Sequence, residues 1–395
     1  MKNTLITVLC IVFSVLQTAR AAPLAPVSTT LTLTHISTDK WRADYEFGEA
    51  IDSLRLGPAV GGYRKQAWRV LTPGLALVDT NGEEAIRSSQ PMKALSIEVT
   101  LYLPYAMKNY TAFDRFSDGG TDLYTGFFDG VAMQGELARP LRLSLRLAGL
   151  AGENVITPAL DAPGDAGYAY FGPRKPAAAG AATLVLDPRT PEWMASMLVE
   201  TTTSISTLYE TGFGRKLGYK PLLLLSIGDL DQPGLSIKGG AIGKQIVYRL
   251  EGKALMGGSA KVRQYCMELI AHELAHIWQT NVARGGIGEK EAWIHEGGAE
   301  AIALAALRQS GLFSEDEAAL YASKLTDECA SLKGSVDTYR GVYACGFKRF
   351  VDYDQDIFAL WKAMMDRSET SGELYSTALI DAVRQRPGKL PAAPH

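Results

Sequence analysis

Apolar and polar residues alternate in short runs through the first half of the chain. A two-residue period is typical of β-strands with one buried face, and Gly, Pro, Asp and Asn residues separate these runs as turns would. From about residue 28 to residue 175 the pattern predicts an all-β domain of sandwich type. The runs that carry this prediction are 29–37, 41–47, 94–104, 124–130 and 141–149.

The pattern changes after residues 172–182, whose Pro, Gly and Ala content is typical of a linker. Longer units follow this stretch. They are a strand at 182–187, a helix with Pro191 in its first turn, and a buried strand at 220–229.

The stretch 236–250 is rich in glycine before it turns to β-branched residues. We interpret the run that these glycines introduce as an exposed edge strand. Edge strands bind extended peptides through backbone hydrogen bonds. Gly240, Ala241 and Ile242 are therefore candidate contacts to a peptide substrate.

From residue 259 onward the spacing of apolar residues predicts helices. Ser259 is a candidate N-cap, and apolar residues recur every four positions behind it. Ser314 and Glu317 form a capping-box pattern at the start of another helix. The whole pattern predicts an α+β chain, with an N-terminal all-β sandwich-like domain, a small mixed sheet and a mostly helical C-terminal part. Further helices are predicted at about 290–310, 340–352, 355–368 and 372–385.

Residues 1–21 have the pattern of a secretory signal. Lys2 supplies the positive start, an apolar run of about a dozen residues follows, and residues 19–21 form a small-x-small cleavage site. That run is shorter than the roughly 20 residues that a membrane-spanning helix needs. We therefore expect an exported protein, periplasmic or secreted, without a transmembrane segment after signal cleavage.

Length and charge narrow the class of protein. A mature chain of about 374 residues is long enough for two domains, and we predict them at 22–178 and 179–395. The formal net charge of the full sequence is −3, and loss of Lys2 and Arg20 with the signal makes it about −5. Such a mild charge indicates neither a nucleic acid nor an anionic membrane as partner.

Three of the four cysteines remain after signal cleavage, in a compartment that permits disulfides. Cys266 lies among apolar residues of a predicted helix and is interpreted as a buried free thiol. Cys329 and Cys345 flank a loop of Gly, Ser and Asp, and closing that loop would stabilise the fold by about 3 kcal/mol in the chain-entropy model. We predict a disulfide between these two residues.

The histidines carry the clearest chemical pattern. Only five occur in the chain, and His272 and His276 stand four apart in the sequence His-Glu-x-x-His. On a helix both rings leave the same face, close enough to hold one metal ion. Glu273 cannot share that direction fully, and it fits the role of a general base that moves a proton from water to the leaving amine.

A catalytic zinc ion needs a third protein ligand and an open fourth position. Glu296 follows His276 by twenty positions, which leaves room for a turn and a second helix. His295 is its rival, but it cannot face the same way on a helix, so Glu296 is favoured. Glu300, one turn beyond, is a candidate partner for the second nitrogen of His272, or else a solvated charge on the helix face.

The segment HELAH, followed after nineteen residues by the glutamate of WIHEGGAE, resembles the motif of the gluzincin zinc metallopeptidases. This is the clan of thermolysin and aminopeptidase N. The spacing is that of thermolysin, whereas W-x-x-E-G-x-A-E is closer to the aminopeptidase N side. The resemblance covers roughly residues 183–350 and implies a gluzincin-like catalytic domain with one zinc ion, held by His272, His276 and Glu296.

The resemblance also implies a tyrosine, in a Tyr-x-x-Gly segment, that donates a hydrogen bond to the oxyanion of the tetrahedral intermediate. Tyr343 with Gly346 fits this segment. Aminopeptidases of the clan carry a Gly-x-Met-Glu-Asn segment whose glutamate binds the free α-amine of the substrate. The corresponding residues 240–244 contain no acid, so the choice between aminopeptidase and endopeptidase stays open.

These expectations describe an exported zinc-dependent peptidase. It would hydrolyse bonds of a peptide or protein substrate with a zinc-activated water and Glu273 as general base. The alternative is a non-catalytic, zinc-containing binding protein on a peptidase-like scaffold. A structural zinc site normally has four protein ligands, and the sequence offers no evident fourth, which disfavours this alternative.

Overall fold

The structure of the protein, a computed structural model, describes residues 24–104, 110–283, 291–353 and 355–385. The predicted signal segment, residues 1–21, lies outside the described residues. The first half of the described chain is rich in strands and the second half is mostly helical. The predicted α+β class is therefore confirmed.

Two sheets fill the N-terminal half and share one apolar core. Alternate residues of one strand, Trp41, Ala43 and Tyr45, are buried in this core, as the two-residue period predicts. The elements are β1 (Val27–Ser37), β2 (Lys40–Leu56), α1 (Tyr63–Ala67), β3 (Trp68–Val70), β4 (Leu75–Thr80), β5 (Glu83–Thr100), β6 (Phe113–Arg115), β7 (Thr121–Tyr124), β8 (Gly130–Gln134), β9 (Leu137–Ala148), β10 (Asn154–Ile156) and β11 (Tyr168–Gly172). The larger sheet has the order β1-β9-β8-β2-β5-β3 with β4 paired to β5, and the smaller one has the order β10-β11-β7-β6.

One predicted strand, at 124–130, is wrong. Residues Thr125–Phe128 form a single turn of 3₁₀ helix between β7 and β8. The turn lets the neighbouring side chains of Phe127 and Phe128 both reach the core, whereas a strand would direct them to opposite faces. The aromatic content of this short run therefore gave a misleading signal.

The stretch 172–182, predicted as a linker, contains a strand. β12 (Ala177–Ala179) pairs antiparallel with β13 (Ala182–Leu186), and Gly180 has the positive φ of 56° that a tight turn needs. Three alanines show no alternation, so composition alone missed this strand. β11 belongs to the smaller N-terminal sheet and β12 to the next sheet, and the division between residues 178 and 179 stays a prediction.

A five-stranded mixed sheet begins the second half. It is completed by β14 (Leu222–Ile227), β15 (Ser236–Ile242) and β16 (Gln245–Glu251), in the order β12-β13-β14-β16-β15. Gly240, Ala241 and Ile242 lie in an edge strand, as predicted, but the β-branched run that follows them is β16, inside the sheet. The glycine-rich segment is itself the edge strand β15, and Gly243 with φ 55° makes the hairpin turn between the two.

The five-stranded sheet has an apolar core on each face. On β14, Leu223 and Leu225 belong to a core shared with the helices, and Leu224 belongs to the core of the N-terminal half. Hydrogen bonds also join the two halves. The Gln245 side chain accepts from the Tyr168 N–H at 2.7 Å and donates to the Tyr168 carbonyl at 2.9 Å.

Helices make up the rest of the second half. They are α2 (Glu192–Phe213), α3 (Ala254–Gly257), α4 (Ala260–Val282), α5 (Ala292–Gln309), α6 (Glu315–Ser331), α7 (Tyr339–Asp352), α8 (Ile357–Ser371) and α9 (Thr377–Arg384). Ser259 caps α4 by accepting a hydrogen bond from the Val262 N–H, and Ser314 with Glu317 forms the predicted capping box on α6. Within the described ranges no helix has both the length and the apolar character to cross a membrane.

The two cysteine predictions are confirmed. Cys329, near the end of α6, forms a disulfide with Cys345 on α7. Cys266 on α4 is buried and free. The disulfide therefore fixes the middle of α7 to the end of the helix before it.

Candidate metal centre

The helices α4 and α5 bring His272, His276 and Glu296 together. Glu296 Oε2 lies 3.3 Å from His272 Nε2 and 3.2 Å from His276 Nε2, and one ligand atom from each residue lies within 4.8 Å of the others. Two donors that bind one zinc ion at its usual bond lengths in tetrahedral geometry stand about 3.3 Å apart. The three residues therefore fit a zinc ion.

The charges around this cluster favour a cation. Burial acts to raise the pKa of Glu296, but the charges and hydrogen bonds of His276 and His272 outweigh it and hold that pKa well below its usual range. Burial acts to lower the pKa of His272, but the charge of Glu300 and the hydrogen bond to Glu296 outweigh it and raise that pKa to about 9. The carboxylates thus stabilise positive charge where the ligand atoms meet.

His295, the rival ligand, lies beside the cluster without joining it. Its buried ring stacks on His276, with ring centres 4.0 Å apart and planes 14° from parallel. Burial, then the charge of His276, lowers the pKa of His295 to about 2, so this ring is neutral. The preference for Glu296 agrees with this arrangement.

Glu300 lies next to His272, one turn beyond Glu296 on α5. Its Oε1 is 3.5 Å from His272 Nδ1, which is a charge contact, since Nδ1 is buried without a hydrogen-bond partner among the described residues. The Tyr321 hydroxyl of α6 donates a hydrogen bond to Glu300. The role of Glu300 as the partner of His272 stays a prediction that this proximity favours.

Gln279 on α4 was missed by the sequence analysis. Its Oε1 lies 2.8 Å from His276 Nδ1, and its Nε2 donates to the His295 carbonyl at 3.1 Å. The side chain is fully buried. The available signal was its position, three residues after His276, where a helix brings side chains onto neighbouring positions of one face.

Glu273 lies at the free edge of the five-stranded sheet. Its Oε2 accepts a hydrogen bond of 2.6 Å from the Ala241 N–H of β15. A Cβ placed on Gly240 would lie 3.4 Å from the same oxygen, so this glycine keeps space open beside the carboxylate. Ile242 instead packs into the N-terminal core. Two of the three residues proposed as substrate contacts therefore adjoin the proposed base.

Tyr343 of α7 lies beside His272. Its ring stacks on His272 with centres 5.8 Å apart, and Tyr339 meets it edge-on at 5.5 Å. Burial, reinforced by the charge of Glu296, raises the pKa of Tyr343 above its usual value. The phenol therefore stays protonated and able to donate a hydrogen bond.

Two further tyrosines near Glu273 were not anticipated. Burial and then the charges of Glu273 and Glu296 raise the pKa of Tyr110, which comes from the N-terminal half and stacks on Tyr124 at 4.6 Å. Burial, followed by the charge of Glu273, raises the pKa of Tyr248 on β16 well above its usual value. The N-terminal half therefore contributes to the surroundings of the site.

Comparisons place this arrangement in a known fold. No protein-family model and no curated protein matches the sequence. The structure is similar to the aminopeptidase N family protein from Idiomarina loihiensis, with a TM-score of 0.54 and 14% identity over 91% of this chain and 69% of that one. It is also similar to native yeast LTA4 hydrolase, with a TM-score of 0.51 and 11% identity over 94% of this chain and 69% of that one. The chain has an aminopeptidase N-like fold, as the resemblance in its sequence implied.

Proposed function

We propose that the protein is an exported zinc-dependent peptidase. The observation that carries the proposal is the convergence of His272, His276 and Glu296, with Glu273 between this cluster and the open edge of β15. Three ligands that leave further coordination open are typical of catalytic zinc sites, whereas structural sites have four protein ligands. In the described part of the chain no other group of three ligand residues comes together.

The zinc ion, when bound, would acidify water and polarise the carbonyl of the scissile bond. Glu273 would accept the proton of the attacking water and deliver it to the leaving amine. The hydrogen bond from the Ala241 N–H to Oε2 orients this carboxylate at the edge of the sheet. The two imidazoles and Glu296 would hold the metal, with the second nitrogens of the imidazoles facing Glu300 and Gln279.

Tyr343 would donate a hydrogen bond from its phenol to the oxygen of the scissile carbonyl as negative charge develops there. Its raised pKa keeps the proton in place at neutral pH. A donor that acts on charge present only in the transition state accelerates the reaction without tightening substrate binding. We assign Tyr343 to this role within the proposal.

The substrate would be a peptide or a protein segment that lies along β15. In the described sheet this strand has a neighbour on one side only, β16, so its other edge faces the proposed active site. Extended peptides add to such edges through backbone hydrogen bonds. Gly240 leaves space for a substrate beside Glu273.

Export belongs to the same proposal. The N-terminal signal pattern carries it, and that pattern lies outside the described residues. The disulfide between Cys329 and Cys345 supports it, because disulfides persist in oxidising compartments outside the cytosol.

The test is hydrolysis of a mixed peptide library by the purified mature chain, followed by mass spectrometry of the products. We expect about one zinc ion per chain, loss of cleavage with a chelator and its return with added zinc. Glu273→Gln should retain zinc and lose cleavage, whereas Glu315→Gln, an exposed glutamate on α6, is the matched control. Cleavage that requires a free amino end identifies an exopeptidase, and internal cuts identify an endopeptidase. A chain that binds zinc but cuts no peptide would support the binding protein instead.

A further inference from the structure

The side chain of Gln279 has two partners whose chemistry fixes its orientation. One is the carbonyl oxygen of His295, 3.1 Å from Gln279 Nε2, and the other is His276 Nδ1, 2.8 Å from Gln279 Oε1. A backbone carbonyl can only accept a hydrogen bond. The amide must therefore turn its NH₂ group toward His295, which leaves its oxygen toward His276.

This orientation determines which nitrogen of His276 carries the proton. The oxygen of an amide only accepts hydrogen bonds. His276 Nδ1 must therefore carry a hydrogen and donate it in a hydrogen bond to Gln279 Oε1. In the neutral ring Nε2 then has the free lone pair, and Nε2 is the atom that lies 3.2 Å from Glu296 Oε2. We infer that Gln279 is a positioning residue that holds His276 in the one tautomer able to bind a metal through Nε2.

The same amide joins two of the three ligands. His276 belongs to α4, and the carbonyl that Gln279 binds belongs to the residue immediately before Glu296 on α5. A displacement of α5 relative to α4 would break this hydrogen bond. Gln279 therefore fixes the orientation of the His276 ring. It also fixes the position of α5, the helix that carries Glu296.

The surroundings keep Gln279 in place. The side chain is completely buried, and the Tyr375 hydroxyl donates to its backbone carbonyl at 2.9 Å. A Cβ placed on Gly298 would lie 3.2 Å from Gln279 Nε2 and would also press on the ring of Trp361. A glycine at this position of α5 thus leaves the amide the room that it occupies.

The two histidines have chemically different partners. His272 Nδ1 faces the carboxylate of Glu300 at 3.5 Å, whereas His276 Nδ1 has a neutral amide. The buried cluster already contains the carboxylates of Glu273 and Glu296. An amide orients His276 without a further buried negative charge, which would be costly without a partner.

The inference rests on the proposed metal site, and its test measures zinc affinity by chelator competition in the full mature chain. Gln279→Met fills similar volume without either hydrogen bond and should weaken zinc binding about 10- to 100-fold. Gln279→Glu keeps both hydrogen bonds when its buried carboxyl is protonated, with an oxygen for His276 Nδ1 and a hydroxyl for the His295 carbonyl, and should stay within about threefold of the parent. The visible spectrum of bound Co²⁺ should change in the Met variant and not in the Glu variant.

Gln245 offers a matched control, since it is also a buried glutamine with two hydrogen bonds, both to Tyr168. Gln245→Met should lower the melting temperature and leave zinc affinity unchanged. If Gln279→Met does not fold, Gln279→Asn replaces it, because its shorter amide cannot reach both partners and should lose about 10-fold in affinity.

Two results would overturn the inference. One is a Met variant, or its Asn substitute, that binds zinc as tightly as the parent. The other is equal loss of affinity in this variant and in Gln279→Glu, which would indicate a packing role only. Failure of the proposed function is a separate result, since it would appear as a parent chain that binds no zinc or cuts no peptide.

Discussion

Gly297 of α5 and Gly346 of α7 face each other where the two helices cross. A Cβ on Gly346 would lie 2.9 Å from Gly297 Cα and 2.7 Å from the Trp293 carbonyl oxygen, so the two backbones are in contact. Gly297 directly follows Glu296, and Tyr343 precedes Gly346 by three residues. This crossing therefore sets the distance between the third metal ligand and the proposed oxyanion donor.

Gly297→Ala should destabilise the protein and reduce its turnover. The added methyl group would collide with the backbone of α7, and such overpacking costs about 1–3 kcal/mol. Separation of the helices would also move Tyr343 away from Glu296. Denaturant unfolding and peptide turnover measure the two effects. Gly257→Ala is the control, because a Cβ at Gly257 has nothing within 4 Å. Equal stability of the two variants would contradict the backbone contact between α5 and α7.

Tyr343→Phe should lower kcat by about 10²- to 10³-fold, the usual cost of removing one oxyanion donor. Zinc affinity and KM should change little, because the phenol is not a metal ligand and acts on the transition state. Steady-state kinetics together with metal analysis test this. Tyr265→Phe, which alters an exposed ring on α4, serves as the control. A Tyr343 variant with the kcat of the parent would remove the residue from the mechanism.

Removal of the disulfide by Cys329→Ser and Cys345→Ser should lower the free energy of unfolding by about 3 kcal/mol. The bond closes a loop with a sequence separation of 16 and holds α7 against α6. Urea unfolding with and without a reductant provides the measurement. The reductant should destabilise the parent and leave the double variant unchanged, and equal sensitivity of both proteins would argue against the bond.

Glu268→Gln should make stability less dependent on pH. Burial raises the pKa of Glu268 to about 7, with Lys324 opposing this and Glu300 adding to it. The folded chain therefore keeps a proton that the unfolded chain has released above its ordinary pKa, and stability falls as pH rises from about 4.5 to 7.

Thermal and urea unfolding in the presence of a chelator test this pH dependence. The stability gained by Glu268→Gln should be about 1–2 kcal/mol larger at pH 8 than at pH 5, with partial screening by solvent included. Glu317→Gln is a control of opposite sign. Hydrogen bonds from Ser314 lower the pKa of Glu317, so its replacement should destabilise the protein at pH 8. A gain that is the same at both pH values would contradict the prediction for Glu268.

The sequence predicted those features that depend on local spacing. The cap at Ser259, the capping box at Ser314 and the two histidines one turn apart follow from helix periodicity, and the structure contains all three. The choice of Glu296 over His295 followed from the angle between neighbouring side chains on a helix. Such relationships are complete within one or two turns and need no knowledge of the remaining fold.

Features that depend on distant contacts were missed. The role of Gln279 needs the carbonyl of His295, which only the packing of α5 on α4 brings near. The turn at Thr125–Phe128 was read as a strand because two adjacent phenylalanines reach the core by curvature of the backbone.

The five-stranded sheet, with an apolar core on each face, has a consequence for cooperativity. Neighbouring residues of β14 and β16 belong to opposite cores, as Leu224 and Leu225 do on the first strand and Val247 and Tyr248 on the second. Melting of either core would expose one face of the same strands to water. We therefore expect calorimetry of the mature chain to show a single transition, with its N-terminal strands and C-terminal helices unfolding together.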